Sequence, residues 1–120
     1  MTFDRRGPSA VAIITPEDAV IYTAQDALDL MAGLFWGEES CPKLAIDSGC
    51  LSPEFFDLKT GLAGDILQKY SNYRVSAAIV GDFSGYRSKA LQDFIRESNR
   101  GSCIYFAPSW PAALDRLHSL

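Results

Sequence analysis

Phe55-Phe56-Asp57-Leu58-Lys59-Thr60-Gly61-Leu62-Ala63-Gly64-Asp65-Ile66-Leu67 follows the apolar run Leu44-Ala45-Ile46, which ends in Asp47-Ser48-Gly49. A strand, an acidic turn and a helix opening on small residues is the arrangement by which an α/β domain presents polar groups at the end of a sheet. Ser52-Pro53-Glu54 is a helix-start signal with proline at the first helical position, sufficient for one turn before the chain re-aims at residues 57–60. Leu62, Ile66 and Tyr70 then recur at helical spacing and mark the buried stripe of a main helix that ends near Asn72.

The same alternation extends in both directions. Upstream, Ala10-Val11-Ala12-Ile13-Ile14 is rich in β-branched residues and ends at the turn Thr15-Pro16-Glu17-Asp18. Ala19-Val20-Ile21-Tyr22 reads as a second strand, hairpin-paired with the first. Thr-Pro-Glu-Asp is also a good helix start, but the pair Val20-Ile21 favours a strand. Thr23 and Asp26 have the spacing of an N-cap with an acidic third residue, and Leu28, Met31, Ala32 and Phe35 supply the buried face of a helix over 24–36, ended by Gly37. Lys43 to Asp47 is the third strand.

Downstream, Val75-Ser76-Ala77-Ala78-Ile79-Val80 is small and apolar throughout, as a strand covered on both faces should be. Residues 81–86 form a loop. Ser88 caps a helix with Leu91, Phe94 and Ile95 inward, terminated over 99–101. Cys103-Ile104-Tyr105-Phe106 is the fifth strand, and Ser109 caps a last helix with Leu114 and Leu117 inward. The predicted order is β-β-α-β-α-β-α-β-α: one α/β domain over residues 1–120, a single mostly parallel sheet of about five strands with an N-terminal hairpin. Residues 1–8 are expected to be a frayed arm. Each later strand-to-strand connection runs through a helix, so right-handed crossovers between parallel neighbours are expected.

The bulk numbers agree with one globular domain. A chain of 120 residues buries about two thirds of its unfolded surface. The net charge of −4 argues against nucleic-acid binding, which needs a basic surface to displace counterions. No apolar stretch approaches the roughly 20 residues of a membrane span, and no apolar region behind Arg5 and Arg6 makes a signal peptide. Three cysteines, Cys41, Cys50 and Cys103, form no C-x-x-C pair. They suggest a reducing cytoplasm without disulfides. No His/Cys cluster has metal-ligand spacing, no motif calls for a cofactor, and the one histidine, His118, sits on a tail expected to be mobile.

The element order is that of the STAS domain, the fold of bacterial anti-sigma-factor antagonists. That family has a strand ending in aspartate, a short loop, and a Phe-x-Asp-Ser-Ser-Gly-Leu-Gly motif opening the second helix. The text that resembles it is Leu44-Ala45-Ile46-Asp47, then Phe55 to Leu62. Aligned on Gly61, the family's serine pair is replaced by Lys59 and Thr60, with one extra residue after Asp57, so Thr60 is the only candidate phosphoacceptor. A second resemblance, over nearly the whole chain, is to an uncharacterised bacterial family, domain-of-unknown-function family 4180. It is carried by Gln25-Asp26-Ala27-Leu28-Asp29-Leu30, Phe55 to Tyr73, Ala78-Ile79-Val80-Gly81-Asp82-Phe83-Ser84, Ser88, Asp93-Phe94-Ile95 and Glu97-Ser98-Asn99-Arg100-Gly101. It implies a small cytoplasmic bacterial protein without an assigned activity.

In open α/β sheets ligands bind beyond the carboxyl ends of the strands. The loops after the third, fourth and fifth strands should converge there and gather Asp47, Ser48, Asp82, Ser84, Tyr86, Arg87 and Ser88, with Asp57 and Thr60 on the same rim. Asp57 and Asp82 also suit capping and turn roles. Gly61 and Gly64, inside a helical pattern, suggest close helix–sheet packing. The outer helix face of Asp93, Arg96, Glu97 and Arg100 reads as a solvated face or a docking face, and Trp110 as an exposed anchor or a lock for the last helix. Two functions follow as expectations. The first is a non-enzymatic STAS-like regulatory module that contacts another protein, a kinase or regulator, or a second copy of itself, and uses neither nucleic acid nor membrane. The second is a small anionic-ligand-binding protein or minor enzyme, with the anion held at the start of the second helix.

Overall fold

The computed structural model describes residues 2–5, 10–35 and 43–120, with the side chains of residues 34 and 35 also left aside. Its sheet has five strands in the sequential order β1-β2-β3-β4-β5. They are β1 (Thr2–Asp4), β2 (Val11–Ile14), β3 (Lys43–Asp47), β4 (Ser76–Val80) and β5 (Ile104–Ala107). β1 pairs antiparallel with β2, and every later pair is parallel. The helices are α1 (Ala24–Phe35), α2 (Pro53–Phe56), α3 (Leu62–Asn72), α4 (Lys89–Arg100) and α5 (Trp110–His118), with 3-10 turns at Ser48–Cys50 and Leu58–Thr60. Among the described residues, no helix is long and apolar enough to cross a membrane.

Because each crossover steps the same way across the sheet with the same right-handed sense, α1, α3 and α4 all fall on one face. There Ala12, Ile14, Leu44, Ile46, Ala77, Ile79, Ile104 and Phe106 meet Ala27 and Met31 of α1, Ile66 and Tyr70 of α3, and Leu91 of α4. The fully buried Tyr70 donates its hydroxyl to the Ala27 carbonyl at 3.0 Å and ties α3 to α1. The opposite face, Val11, Ala45, Ala78, Val80 and Ala107, takes α5 alone among the described helices, through Ala113 and Leu117, with Trp110 packed alongside. Period-2 alternation thus puts bulky residues toward three helices and mostly alanines toward one, where a helix seats closely on the strands. Trp110 locks α5 down.

Local signals in the sequence act as expected. Thr23 Oγ1 accepts the Asp26 N–H at 3.1 Å and Asp26 accepts the Thr23 N–H at 3.1 Å, a reciprocal capping box at the start of α1. Ser88 and Ser109 cap α4 and α5 by accepting the N–H groups of Leu91 and Ala112. On α4, Arg96 pairs with Asp93 and Arg100 with Glu97, all well exposed. Their charges are answered within the helix, as on a solvated face. α4 runs through Asn99 to Arg100, and Asn99 has a second task. Its Oδ1 accepts the Phe106 N–H at 2.8 Å and its Nδ2 donates to the Phe106 carbonyl at 3.4 Å, so it occupies the outer edge of β5. Arg116 of α5 donates to the carbonyls of Asn99 and Gly101 at the end of α4 and lies over the Tyr105 ring.

Four expectations are corrected. The hairpin partner of β2 is Thr2–Asp4, within the stretch expected to be a frayed arm, and not residues 19–22. At the end of β2, Asp18 accepts the N–H and hydroxyl of Thr15, closing a turn that carries the chain away from β2. The extended stretch that follows lies beside Leu51 instead: the Ile21 N–H donates to the Cys50 carbonyl and the Ser52 N–H to the Ile21 carbonyl. Gly64 is exposed, with nothing within 4 Å of a Cβ built on it, so it does not mediate close packing. Gly61 is likewise open to solvent, and its φ of +80° is what calls for glycine at the junction into α3. His118 is not on a loose tail: it closes α5 and its Nε2 lies 3.3 Å from the Asp4 carboxylate of β1. The proposed helix stop at Gly37 lies outside the described residues.

Candidate functional site

The loops leaving β2, β3 and β4 meet at the carboxyl ends of the strands. Asp47, the last residue of β3, accepts the Gly49 N–H at 2.9 Å and so caps the 3-10 turn Ser48–Cys50. The neighbouring loops crowd this turn: a Cβ on Gly49 would stand 3.2 Å from the Pro16 ring, and one on Gly81 would stand 2.5 Å from Ser48 Oγ. The turn feeds through buried Leu51 and Ser52 into α2, whose two phenylalanines diverge in role. Phe55 is fully buried and reaches Phe106 in the core, with ring centroids 6.3 Å apart. Phe56 faces the loop after β4, where it stacks on Tyr86 at 5.0 Å and 18° and tilts against Phe83 at 5.9 Å.

That loop is held at both ends. Asp82 accepts the Ser84 N–H at 3.0 Å and the Ser84 hydroxyl at 2.6 Å. These bonds hold the exposed Asp82 carboxyl below the usual aspartate range, the hydroxyl contributing most. Gln92, from the first turn of α4, donates its amide hydrogens to the carbonyls of Phe83 (3.0 Å) and Tyr86 (2.9 Å). Phe83 then packs edge-on against Phe106 at 5.2 Å, which anchors the loop to the core.

Between these loops lies an open cleft of about 220 Å³. One wall is Ser48, Gly49, Leu51 and Pro53; the other is Asp82, Phe83 and Tyr86, with Phe56 between them. Tyr86 stays 39% exposed at the mouth. The cleft offers aromatic faces, the carboxylate of Asp82 and the hydroxyls of Ser48 and Tyr86.

Of the residues singled out in the sequence, Ser48, Asp82 and Tyr86 line the cleft, and Asp47 braces its wall through Gly49. Ser84 acts behind Asp82, and Ser88 is spent on the cap of α4. Arg87 is exposed outside the lining. Asp57 and Thr60 are not among the residues that line the cleft either. Asp57 caps that turn by accepting the Lys59 N–H at 3.2 Å. The Thr60 hydroxyl sits 2.7 Å from the Glu54 carbonyl and 2.9 Å from that of Asp57, and it accepts the Leu62 N–H at 3.3 Å. It welds α2 to α3. Cys50 is fully buried behind the rim, and its thiol is pushed up to about 11, chiefly by burial and further by the charges of Asp47 and Asp18. Phe56 and Gln92 escaped the sequence reading. Both phenylalanines are buried, their rings edge-on at 5.1 Å, and only the placement of Phe83 and Tyr86 shows that Phe56 also backs the cleft.

Fold and cleft together define a singly wound α/β domain with an aromatic-lined cleft at the carboxyl rim of its sheet. The chain belongs to the family described as "Domain of unknown function (DUF4180)", whose model matches residues 6–117. No curated protein and no solved structure matches it.

Proposed function

We propose that the protein is a non-enzymatic interaction module of bacterial cytoplasmic regulation, resembling STAS domains in element order, and that it contacts its protein partner through the cleft of Phe56, Asp82 and Tyr86. The observation that carries this reading is the Phe56–Tyr86 stack at the mouth of an open cleft, held by Gln92 and braced on Phe106. Tyr86 is exposed and rests on the buried Phe56, and a ring held rigid in this way gives contact area at small entropic cost, as aromatic residues do where proteins meet. The sequential strand order supports it as well. Small ligands in open α/β sheets sit where strand order reverses, and a sheet wound in one direction offers no such crevice. The cleft is also below the roughly 300–1,000 Å³ of small-molecule pockets. An anion is disfavoured beside Asp47, Asp82 and Glu54. Thr60, bonded on both sides of its turn, serves this module as a structural joint.

The test is affinity capture from native lysate with the parent chain, Tyr86→Ala, Asp82→Ala and the outer-helix control Glu97→Ala. A partner retained by the control and lost from both cleft variants supports the proposal. A partner indifferent to the cleft variants, or a nucleotide or metabolite that raises the melting temperature of the parent and not of Asp82→Ala, overturns it.

A further inference from the structure

The chemistry of the cleft narrows what its occupant presents. None of its lining residues is basic, and the chain carries no Lys, Arg or His between Leu44 and Leu58, the segment that supplies one wall together with Asp47 and Glu54. The opposite wall presents the exposed carboxylate of Asp82, fixed in direction by Ser84, beside the exposed face of Tyr86. Tyr86 is backed by Phe56, so its ring is held as a plane. A planar aromatic face next to a fixed carboxylate matches one side chain above others. A guanidinium stacks flat on the ring while donating N–H to the Asp82 oxygen that Ser84 leaves open, Oδ2, which a compact, strongly hydrated ammonium does less well. Space for one long side chain, with apolar Leu51 and Pro53 alongside, fits an arginine flanked by aliphatic residues.

We infer that the cleft receives an arginine of the partner protein, its guanidinium on Tyr86 and paired with Asp82. This rests on the proposed function and specifies the partner's chemistry. The complementarity is of charge as well as shape: basic residues of the rim, Arg87 and Lys89, lie outside the lining, so the wall that meets the arginine is acidic.

The experiment is a titration of isotope-labelled protein, followed by amide chemical shifts, with three blocked peptides: Leu-Arg-Leu, Leu-citrulline-Leu and Leu-Glu-Leu. Citrulline keeps the shape of arginine and removes its charge. The arginine peptide is expected to shift the amides of Gly49, Asp82, Phe83 and Tyr86 and to saturate. The citrulline peptide should bind about tenfold more weakly, the worth of one charge-assisted pair, and the glutamate peptide should produce no local shift. Asp82→Asn, which keeps the dispersed spectrum of a folded protein, should erase the difference between arginine and citrulline. Equal binding of all three peptides, absence of shifts at the cleft, or an Asp82→Asn variant that still prefers arginine overturns the inference. So do cleft shifts that follow protein concentration alone, which assign the cleft to a second copy of the chain. If capture from lysate still depends on Tyr86 while the arginine peptide does not bind, the interaction module stands and this inference falls.

Discussion

An alanine at position 81 would place its Cβ 2.5 Å from Ser48 Oγ and 2.8 Å from Ser48 Cβ, with the Phe83 ring at 3.4 Å. Carbon atoms rest about 3.5–4.0 Å apart. The Ser48 hydroxyl can rotate away, but its Cβ is fixed by the backbone of the 3-10 turn, so the turn itself must give. Overpacking of this kind costs about 1–3 kcal/mol. For a chain of this length each kcal/mol moves the melting temperature by roughly 4 °C, so Gly81→Ala should melt some 4–12 °C lower. Because the clash is with one residue, Ser48→Gly should relieve it. Ser48→Gly alone costs about 0.5–1 kcal/mol in backbone entropy, a term common to both backgrounds that cancels in a double-mutant cycle. Calorimetric melting of the four proteins is the assay, and a favourable coupling of about 1 kcal/mol or more is the expectation. A Gly81→Ala protein that melts with the parent, or a coupling near zero, would refute the contact between the β3 and β4 loops on which the shape of the cleft depends.

Gly64→Ala, on the exposed side of α3 with open space around it, should stabilise by about 0.5–1 kcal/mol; a chemical-denaturation midpoint below that of the parent would show that the position is occupied. Asn99→Ala strips the partner from both outward groups of Phe106 at the edge of β5; a loss of about 1–2 kcal/mol is expected in the same assay. Cys50 shares the alkaline pH dependence with Tyr70 and Cys103, which burial also pushes up. Its folded pKa, about 11, lies above its unfolded value of 9.0. The stability held by the neutral thiol is therefore full below pH 9.0 and is lost as pH rises through about 11. Cys50→Ala should lessen the alkaline fall in stability, the remainder belonging to Tyr70 and Cys103, and iodoacetamide at pH 8 should leave Cys50 unmodified until the protein is unfolded.

The parallel core was legible because its signals are repeated: β3 and β4 are short apolar runs bounded by turns, and α3 and α5 carry their stripes at helical spacing. Single events were not. β1 is three residues long, with only Phe3 apolar, and nothing local marks it as a strand; its identity comes from β2. Ile21 is extended and buried, as its β-branched neighbourhood suggested, yet it makes one bridge to Leu51 and not a hairpin. At the site, Asp82 and Tyr86 could be read as loop residues beyond a strand. Asp57 and Thr60 were placed on the rim because they open a main helix, while in space they are spent on the joint between α2 and α3. Gln92 lies on a helix whose polar residues read as solvated, and only the placement of residues 83–86 gives it partners.

Site-specific photo-crosslinking tests the central claim most directly. A benzoylphenylalanine is placed at Tyr86, at the mouth of the cleft, and in a second protein at Tyr73, which is 59% exposed at the opposite end of the sheet, in the turn before β4. Irradiation in cells of origin should give a discrete protein adduct from position 86 and none from position 73. An adduct from position 73 with none from position 86 would contradict the account.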